Sequence, residues 1–436
     1  MNQTQSGYQK ISLGFSLFKT LDNCRLCHGN FFPKTLKLKE TCAANELYPS
    51  QESAKKATKF PLEVVMCSEC KHVQLLHIVN PQRLFDDYVY KSGTSNFFVK
   101  HFEELAKLVA SEYPISSYVL EVGSNDGTLL TALKRRGIKA IGLEPSEKLV
   151  NECNSAGLEV IQAYLDKSNV SKLLAEHGQA SIVIGNNVFA HIDDMREAFT
   201  NVFNALNETG LFIFEVAHFK NILSDGIFDT IYHEHMSYHT VLALQPFAKE
   251  FGFKITKIQK ISPHGGSLRF FLSKKPGSKV DSSVNEIIAE EIELGLDQEK
   301  VLTSIENRIE NLRKSIGGLI KEANEAAPSI IFGYGAPAKV VTFLAQMELE
   351  ELNLIGIVDD NQDKQNKFLP GTGFPIKSTF EMKSALSHQE KIENKLITCL
   401  IFPWNLNVEI LEKLREWLPK KSKVIWFFPQ PQKVEL

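Results

Sequence analysis

The chain has 436 residues, 43% hydrophobic and 23% charged, with a formal net charge of −3. That length exceeds one ordinary core and implies two or three domains. The near-neutral balance argues against a nucleic-acid or anionic-membrane partner bound through bulk electrostatics. No apolar run approaches the ~20 residues that span a bilayer, and Met1 to Ser16 lacks the apolar core of a secretory signal. Seven cysteines, an odd number with four in close pairs, fit a reducing cytoplasm and a metal better than a disulfide framework.

Taken in chain order, the first feature is a pair of knuckles, Cys24-Arg-Leu-Cys27 and Cys67-Ser-Glu-Cys70. Tetrahedral Zn²⁺ wants four thiolates, and a two-residue gap lets each pair grip the ion from a tight turn. With four sulfurs in place the zinc should be structural, leaving no position for water. Cys42, Cys153 and Cys399 are expected to be core or surface thiols. Phe85 to Ser95 then puts Tyr88 and Tyr90 on one strand face and ends in small hydroxylic residues.

Tyr118 to Leu130 is an apolar run that ends in an acid and two glycines and passes into a helical pattern. A buried parallel strand feeding a tight turn and a helix leaves backbone N–H groups bare beside a ligand. Glu121-Val-Gly-Ser-Asn-Asp-Gly127 is not the dinucleotide spelling Gly-x-Gly-x-x-Gly. Ala140 to Pro145 gives a second strand ending in Glu144, where a Rossmann-like sheet holds a ribose. Ser181 to Asp193 and Gly210 to Val216 add two more strands, and their alternation with helical segments implies a parallel sheet covered on both faces. Glu121, Glu144 and Asn187 then line one crevice at the strand C-termini.

Phe228 to His239 packs two tyrosines, three histidines and two acids into a short stretch. Its spacing is not His-Glu-x-x-His, which argues against a protease-type zinc site. A turn with polar groups converging on a pocket fits better, and histidine is the usual general base. His264-Gly-Gly-Ser-Leu-Arg269 reads as a turn entering the strand Leu268 to Leu272. Ser283 to Ala326 has a helical period, with Val301, Ile305, Ile309, Leu312 and Ile316 as the apolar stripe of one long helix or two. Ser329 to Lys339 restarts a strand–turn–helix unit, and Ile355 to Asn361 ends in acids that include Asp359. This Gly-x-Gly-x-x-Ala pattern comes closer to the dinucleotide fingerprint, so an NAD-dependent oxidoreductase is one alternative. A non-enzymatic zinc and Rossmann scaffold is another. Leu396 to Phe402 and Val424 to Phe428 should add further strands.

The turn at Leu120-Glu-Val-Gly-Ser-Asn-Asp-Gly127 resembles the first motif of class I S-adenosylmethionine (SAM) methyltransferases. Cys67-Ser-Glu-Cys-Lys-His-Val-Gln-Leu75, Asn187-Val-Phe-Ala-His191, Ile231-Tyr-His-Glu-His235, His264 to Arg269, Phe332-Gly-Tyr-Gly-Ala336 and Leu369-Pro-Gly-Thr372 extend the likeness. In that order they resemble the SAM-dependent sugar C-methyltransferase family over nearly the whole chain. The resemblance implies an α/β fold with a zinc-binding domain at 1–85, a SAM-binding class I methyltransferase Rossmann-like domain at 86–280 and a second Rossmann-like domain at 281–436. It implies methyl transfer to C3 of a nucleotide-linked 4-keto-deoxysugar, through removal of the C3 proton and attack of the enolate on the SAM methyl. By the same resemblance His235 is the base, Tyr232 and Glu234 orient it and stabilise the enolate, and His191 and either Tyr88 or Tyr90 complete the site. SAM is expected on Gly123, Ser124, Asn125 and Asp126, with Glu121 also binding it, Glu144 on the ribose and Asn187 beneath the methionine end. The sugar nucleotide is expected between the middle and C-terminal domains, near Gly333 to Ala336 and Asp359. His233 and His239 are read as ordinary loop histidines. Pro337-Ala-Lys-Val-Val-Thr342 departs from the family spelling, in the C-terminal unit alone.

Overall fold

The computed structural model describes residues 10–11, 15–85, 91–325, 329–390 and 396–436, so Tyr88 and Tyr90 lie outside the described residues. The chain forms two compact units that interleave in sequence. One comprises Met1–Thr35, Val65–Lys220 and His235–Glu299; the other comprises Leu36–Val64, Asn221–Glu234 and Lys300–Leu436. No helix among the described residues is long and apolar enough to cross a membrane.

The first unit is built on a seven-stranded sheet of β1 (Val119–Val122), β2 (Ala140–Glu144), β3 (Val160–Gln162), β4 (Ala180–Asn186), β5 (Leu206–Ala217), β6 (Lys254–Ile261) and β7 (Ser267–Ser273). Its spatial order is β3-β2-β1-β4-β5-β7-β6, with β1 to β5 parallel and β7 antiparallel to both neighbours. All four residues of β1 are buried, Glu121 among them, as a strand covered on both faces requires. The chain leaves β1 toward β2 on one side and returns to β4 on the other. That reversal opens a crevice at the carboxyl ends of β1 and β4.

Phenylalanines fill one face of the sheet. The rings of Phe214 and Phe270 lie 4.7 Å apart and nearly parallel, and Phe189 meets Phe212 edge-on at 4.8 Å. Burying each such side chain contributes roughly 1.5–3 kcal/mol. Cys24, Leu26 and Cys67 belong to this same core, so the knuckles are packed into the unit that carries the sheet.

The second unit has a six-stranded sheet of β8 (Ser329–Tyr334), β9 (Leu354–Val358), β10 (Ile376–Lys377), β11 (Leu396–Ile401), β12 (Lys423–Trp426) and β13 (Gln432–Glu435), ordered β10-β9-β8-β11-β12-β13. Only β13 runs antiparallel to its neighbour. The helical period between the two sheets resolves into two helices, Ser282–Glu293 and Lys300–Glu325. Gly295 breaks them apart with a φ of +65°. The stripe residues Val301, Ile305, Ile309 and Ile316 are buried, while Leu312 is half-buried.

Candidate active site

The four knuckle cysteines meet. Their Sγ atoms all lie within 4.8 Å of one another, with Cys24 to Cys70 at 3.6 Å and Cys27 to Cys67 at 3.4 Å. A tetrahedral ion with Zn–S bonds of about 2.3 Å sets its sulfurs about 3.8 Å apart, so this donor set fits zinc. The amides of Leu26, Gly29 and Glu69 each donate to a knuckle sulfur at 3.4 Å, which favours thiolate. The Cys24 thiol is pulled down to about 5, chiefly by its hydrogen bond with Cys70. Cys42, Cys153 and Cys399 are buried apart from this cluster.

At the carboxyl end of β1, Gly123 takes φ +67°, Asn125 +49° and Gly127 +72°, turning the chain sharply into the helix Thr128–Lys134. A Cβ on Gly123 would stand 2.5 Å from a methyl of Val188, so only glycine allows this turn to close on the Asn187 loop. Asn187 is itself left-handed at φ +57° and donates its amide to Glu215 O at 2.8 Å. Glu144 accepts from the amides of Asn125 and Ser146 at 2.9 and 3.0 Å and thereby ties the turn after β1 to the turn after β2. Burial raises the Glu144 carboxyl. Burial, with Asp126 and Glu144 nearby, raises Glu121 well above the ordinary range. Two buried acids beside a cradle of bent backbone suit a ligand with positive charge and hydroxyls, which is what SAM offers.

The Asn125 and Asp126 side chains do a second thing. Asn125 Oδ1 accepts from the amide of Ser92 at 3.0 Å, and Asp126 Oδ2 accepts from that of Gly93 at 2.7 Å. The small residues Ser92 to Thr94 therefore dock on the glycine turn.

His191 and His235 meet ring edge to ring face, with centroids 4.9 Å apart and planes at 89°. The amides of Met236 and Ser237 both donate to Ala190 O, at 2.7 and 3.1 Å, so the segments carrying the two histidines are stitched together by backbone. Desolvation, and then His235 and His264, hold His191 neutral by lowering it well below the usual imidazole range. His264 occupies a left-handed φ of +56°, uncommon outside glycine, and its ring lies 5.3 Å from Phe98. It sits in the turn joining β6 and β7, at the sheet end where β5 finishes, since Ser267 pairs with both Ala217 and Ile261.

The chain passes from one compact unit to the other between Glu234 and His235. Tyr232 and Glu234 therefore belong to the second unit, where Asn45 Nδ2 donates to Glu234 Oε1 at 2.7 Å. His233 and His239 are buried structural residues. His233 Nε2 meets Pro61 O at 3.2 Å, and His239 Nε2 meets Phe189 O at 3.0 Å, with burial lowering the latter imidazole to about 4. A network of Glu215 with His101 at 2.7 Å and Arg269 at 2.6 Å also lies buried at the end of β5. Only the arginine of the Gly-Gly turn hinted at it.

In the second unit Asp359 accepts from the amides of Ala336 and Asn361 at 2.7 and 2.9 Å. Cβ atoms on Gly333 and Gly335 would meet Phe402 at 2.5 Å and Pro403 at 2.4 Å. Packing by these two residues accounts for the glycines of this turn without a dinucleotide.

Three family models match successive parts of the chain: a zinc binding domain over residues 24–85, a methyltransferase domain over 97–258 and a C-methyltransferase C-terminal domain over 262–429. The C-methyltransferase NovU of Streptomyces niveus is 29% identical over 419 residues, covering 95% of this chain and 97% of the relative. The homologue and the methyltransferase domains together support a SAM-dependent C-methyltransferase. Among solved structures, the magnesium protoporphyrin IX methyltransferase of Synechocystis with bound SAM covers 45% of this chain and 97% of its own, at 16% identity and a TM-score of 0.33. A SAM-dependent methyltransferase of Listeria monocytogenes covers 40% of this chain and 99% of its own, with the same identity and TM-score. In C-methyltransferase terms, Tyr232 to His235 fall within the methyltransferase match. His264 to Arg269 fall just inside the C-terminal match.

Proposed function

We propose that this C-methyltransferase acts on C3 of a nucleotide-linked 4-keto-deoxysugar, with His235 as the base that removes the C3 proton. The observation that supports this best is the His191–His235 pair, edge to face at 4.9 Å, with His191 three residues after the Val188 that leaves no room for a Cβ on Gly123. When bound, SAM supplies an electrophilic methyl on a positively charged sulfur. Glu121, Glu144, Asn187 and the turn Gly123 to Asp126 would hold it.

Carbon methylation needs a carbanion equivalent, and a 4-keto group makes the neighbouring C3 proton acidic enough for a positioned imidazole to take. His235 accepts that proton and becomes imidazolium, while the electron pair moves toward the C4 oxygen to give the enolate. The enolate carbon then forms its bond to the methyl as the carbon–sulfur bond breaks toward sulfur. Neutral His191 presses on His235 without adding a competing charge. Tyr232 supplies a hydroxyl for the enolate oxygen, and Glu234 orients the segment. The remaining catalytic task is to orient the reactants and exclude water.

The test is His235→Ala. SAM affinity should stay near native while kcat falls by about 10²–10⁴, the usual share of a general base. Exchange of the substrate's C3 hydrogen with heavy water should disappear along with turnover. A variant that still turns over near the native rate would remove His235 from the base role. If Tyr232→Phe were inactive at the same time, the tyrosine would take that role.

A further inference from the structure

Arg25 stands between the first two zinc ligands of the chain, yet its side chain serves neither solvent nor an acid at contact distance. It is buried, with 7% of its surface exposed. Among the described residues its guanidinium has one hydrogen-bond acceptor, Ile192 O at 3.3 Å from Nη1, while Nε and Nη2 are buried without one. Ile192 is the residue after His191. The Arg25 amide donates to Gln74 Oε1 at 3.0 Å. Gln74 lies on the strand Val73–Leu75, which pairs antiparallel with Ser237–Tyr238 in the register Gln74 to Ser237, two residues after His235. Leu75 donates its amide to Met236 O at 3.0 Å. The zinc module thus backs both halves of the histidine pair: a strand behind Met236 to Tyr238, and a buried guanidinium behind Ile192.

We propose that Arg25 is a positioning residue for His191 and His235, through which the zinc knuckle fixes the geometry of the base. The argument is one of stiffness. His191 lies in a short turn whose own closure is a single amide contact from His191 to Val188 O at 2.8 Å. A buried charged donor on the next carbonyl restrains that turn more than a neutral contact would. The donor's backbone is fixed in turn by the flanking ligands Cys24 and Cys27. Supports of this kind behind a functional side chain typically matter by about 10–100-fold. The inference rests on the roles given above to His191 and His235.

Arg25→Met removes the donor and keeps most of the volume. It should retain about one zinc per chain and bind SAM within about twofold of native, while kcat for methyl transfer to a 4-keto-sugar nucleotide falls by about 10–100-fold. In the ligand-free protein, the imidazole resonances of His191 and His235 in a histidine-labelled sample should shift, which a purely thermal loss of stability would not cause. Arg196→Ala is the control. Arg196 Nη1 also grips the knuckle, at Leu26 O and 2.6 Å, but its other partner is Glu250, so its loss should leave kcat and those resonances native. A zinc-loaded Arg25→Met protein with native kcat, or with unmoved imidazole resonances, overturns the proposal. If the methionine variant does not hold zinc, zinc-loaded Arg25→Lys decides: its shorter donor should still lower kcat, and a native rate overturns the positioning role. His235→Ala is assayed alongside. If that variant is inactive, native Arg25 variants sink the positioning role alone. If it is active, the assignment beneath the proposal fails with it.

Discussion

Glu121 and Glu144 are acids held in burial next to one another, with a third acid, Asp126, close by. Empty, such a site holds its protons to higher pH than free carboxyls do, because desolvation and like charge both disfavour the carboxylate. A ligand that brings an ammonium and a sulfonium favours ionisation, so SAM binding should release protons below the raised titration of Glu121. Affinity should climb with pH through that range and then level off. The stability of the unliganded protein has the opposite sense. A carboxyl raised in the folded state stabilises at low pH, below its unfolded value of about 4.3, and that contribution is lost as pH rises through the folded value. Calorimetry in buffers of different ionisation enthalpy counts the released protons directly. Glu121→Gln should cut that count and weaken binding, leaving only the smaller part due to Glu144. An unchanged count would place the ligand's charge elsewhere.

At the scale of elements, the strands were legible because a parallel strand must be apolar on both faces and must end where the ligand crevice begins. Val119 to Val122 and Ala140 to Glu144 could be read with their terminal acids for that reason, and the two knuckles were legible because zinc demands their spacing. The groups that sequence reading missed are joined only by the tertiary fold. His101 and Arg269 meet Glu215 across 114 and 54 residues, and no local period marks such partners. Arg25 carries no local sign of its buried contacts, and Phe85 to Ser95 reads as a strand although Ser92–Thr94 forms a short 3-10 turn. The base motif was legible as a cluster. That its residues divide between two compact units at Glu234 and His235 was not, because the crossing leaves no compositional trace. The zinc element gives its own prediction. Metal analysis should find about one zinc per chain, and Cys67→Ser should lose metal and thermal stability together, since site formation and folding are linked. Full retention of both would remove the zinc assignment.

For the whole molecule, two Rossmann-like sheets in one chain raise the question of which one takes a nucleotide-bearing cofactor. At the β1 turn, among the described residues, Glu121 Oε2 is buried with no hydrogen-bond partner, while Glu144 is engaged by two amides but has no ammonium beside it. In the β8 turn, Asp359 is engaged by two amides and lies 3.9 Å from the Lys364 ammonium, and Phe402 and Pro403 occupy the space that the glycines leave. The first unit should therefore respond to SAM, and neither unit should respond to NAD. A ligand that binds only the folded state at 100 times its Kd adds about 2.7 kcal/mol, which for a unit of this size raises its melting transition by roughly 5–10 °C. Scanning calorimetry on the zinc-loaded chain can read this unit by unit, because chelating the metal should move the transition of the unit that holds the knuckles and so identify it. SAM should raise that same transition. An NAD-induced shift of the other transition, with none from SAM, would instead give the cofactor to the C-terminal sheet and restore an oxidoreductase reading.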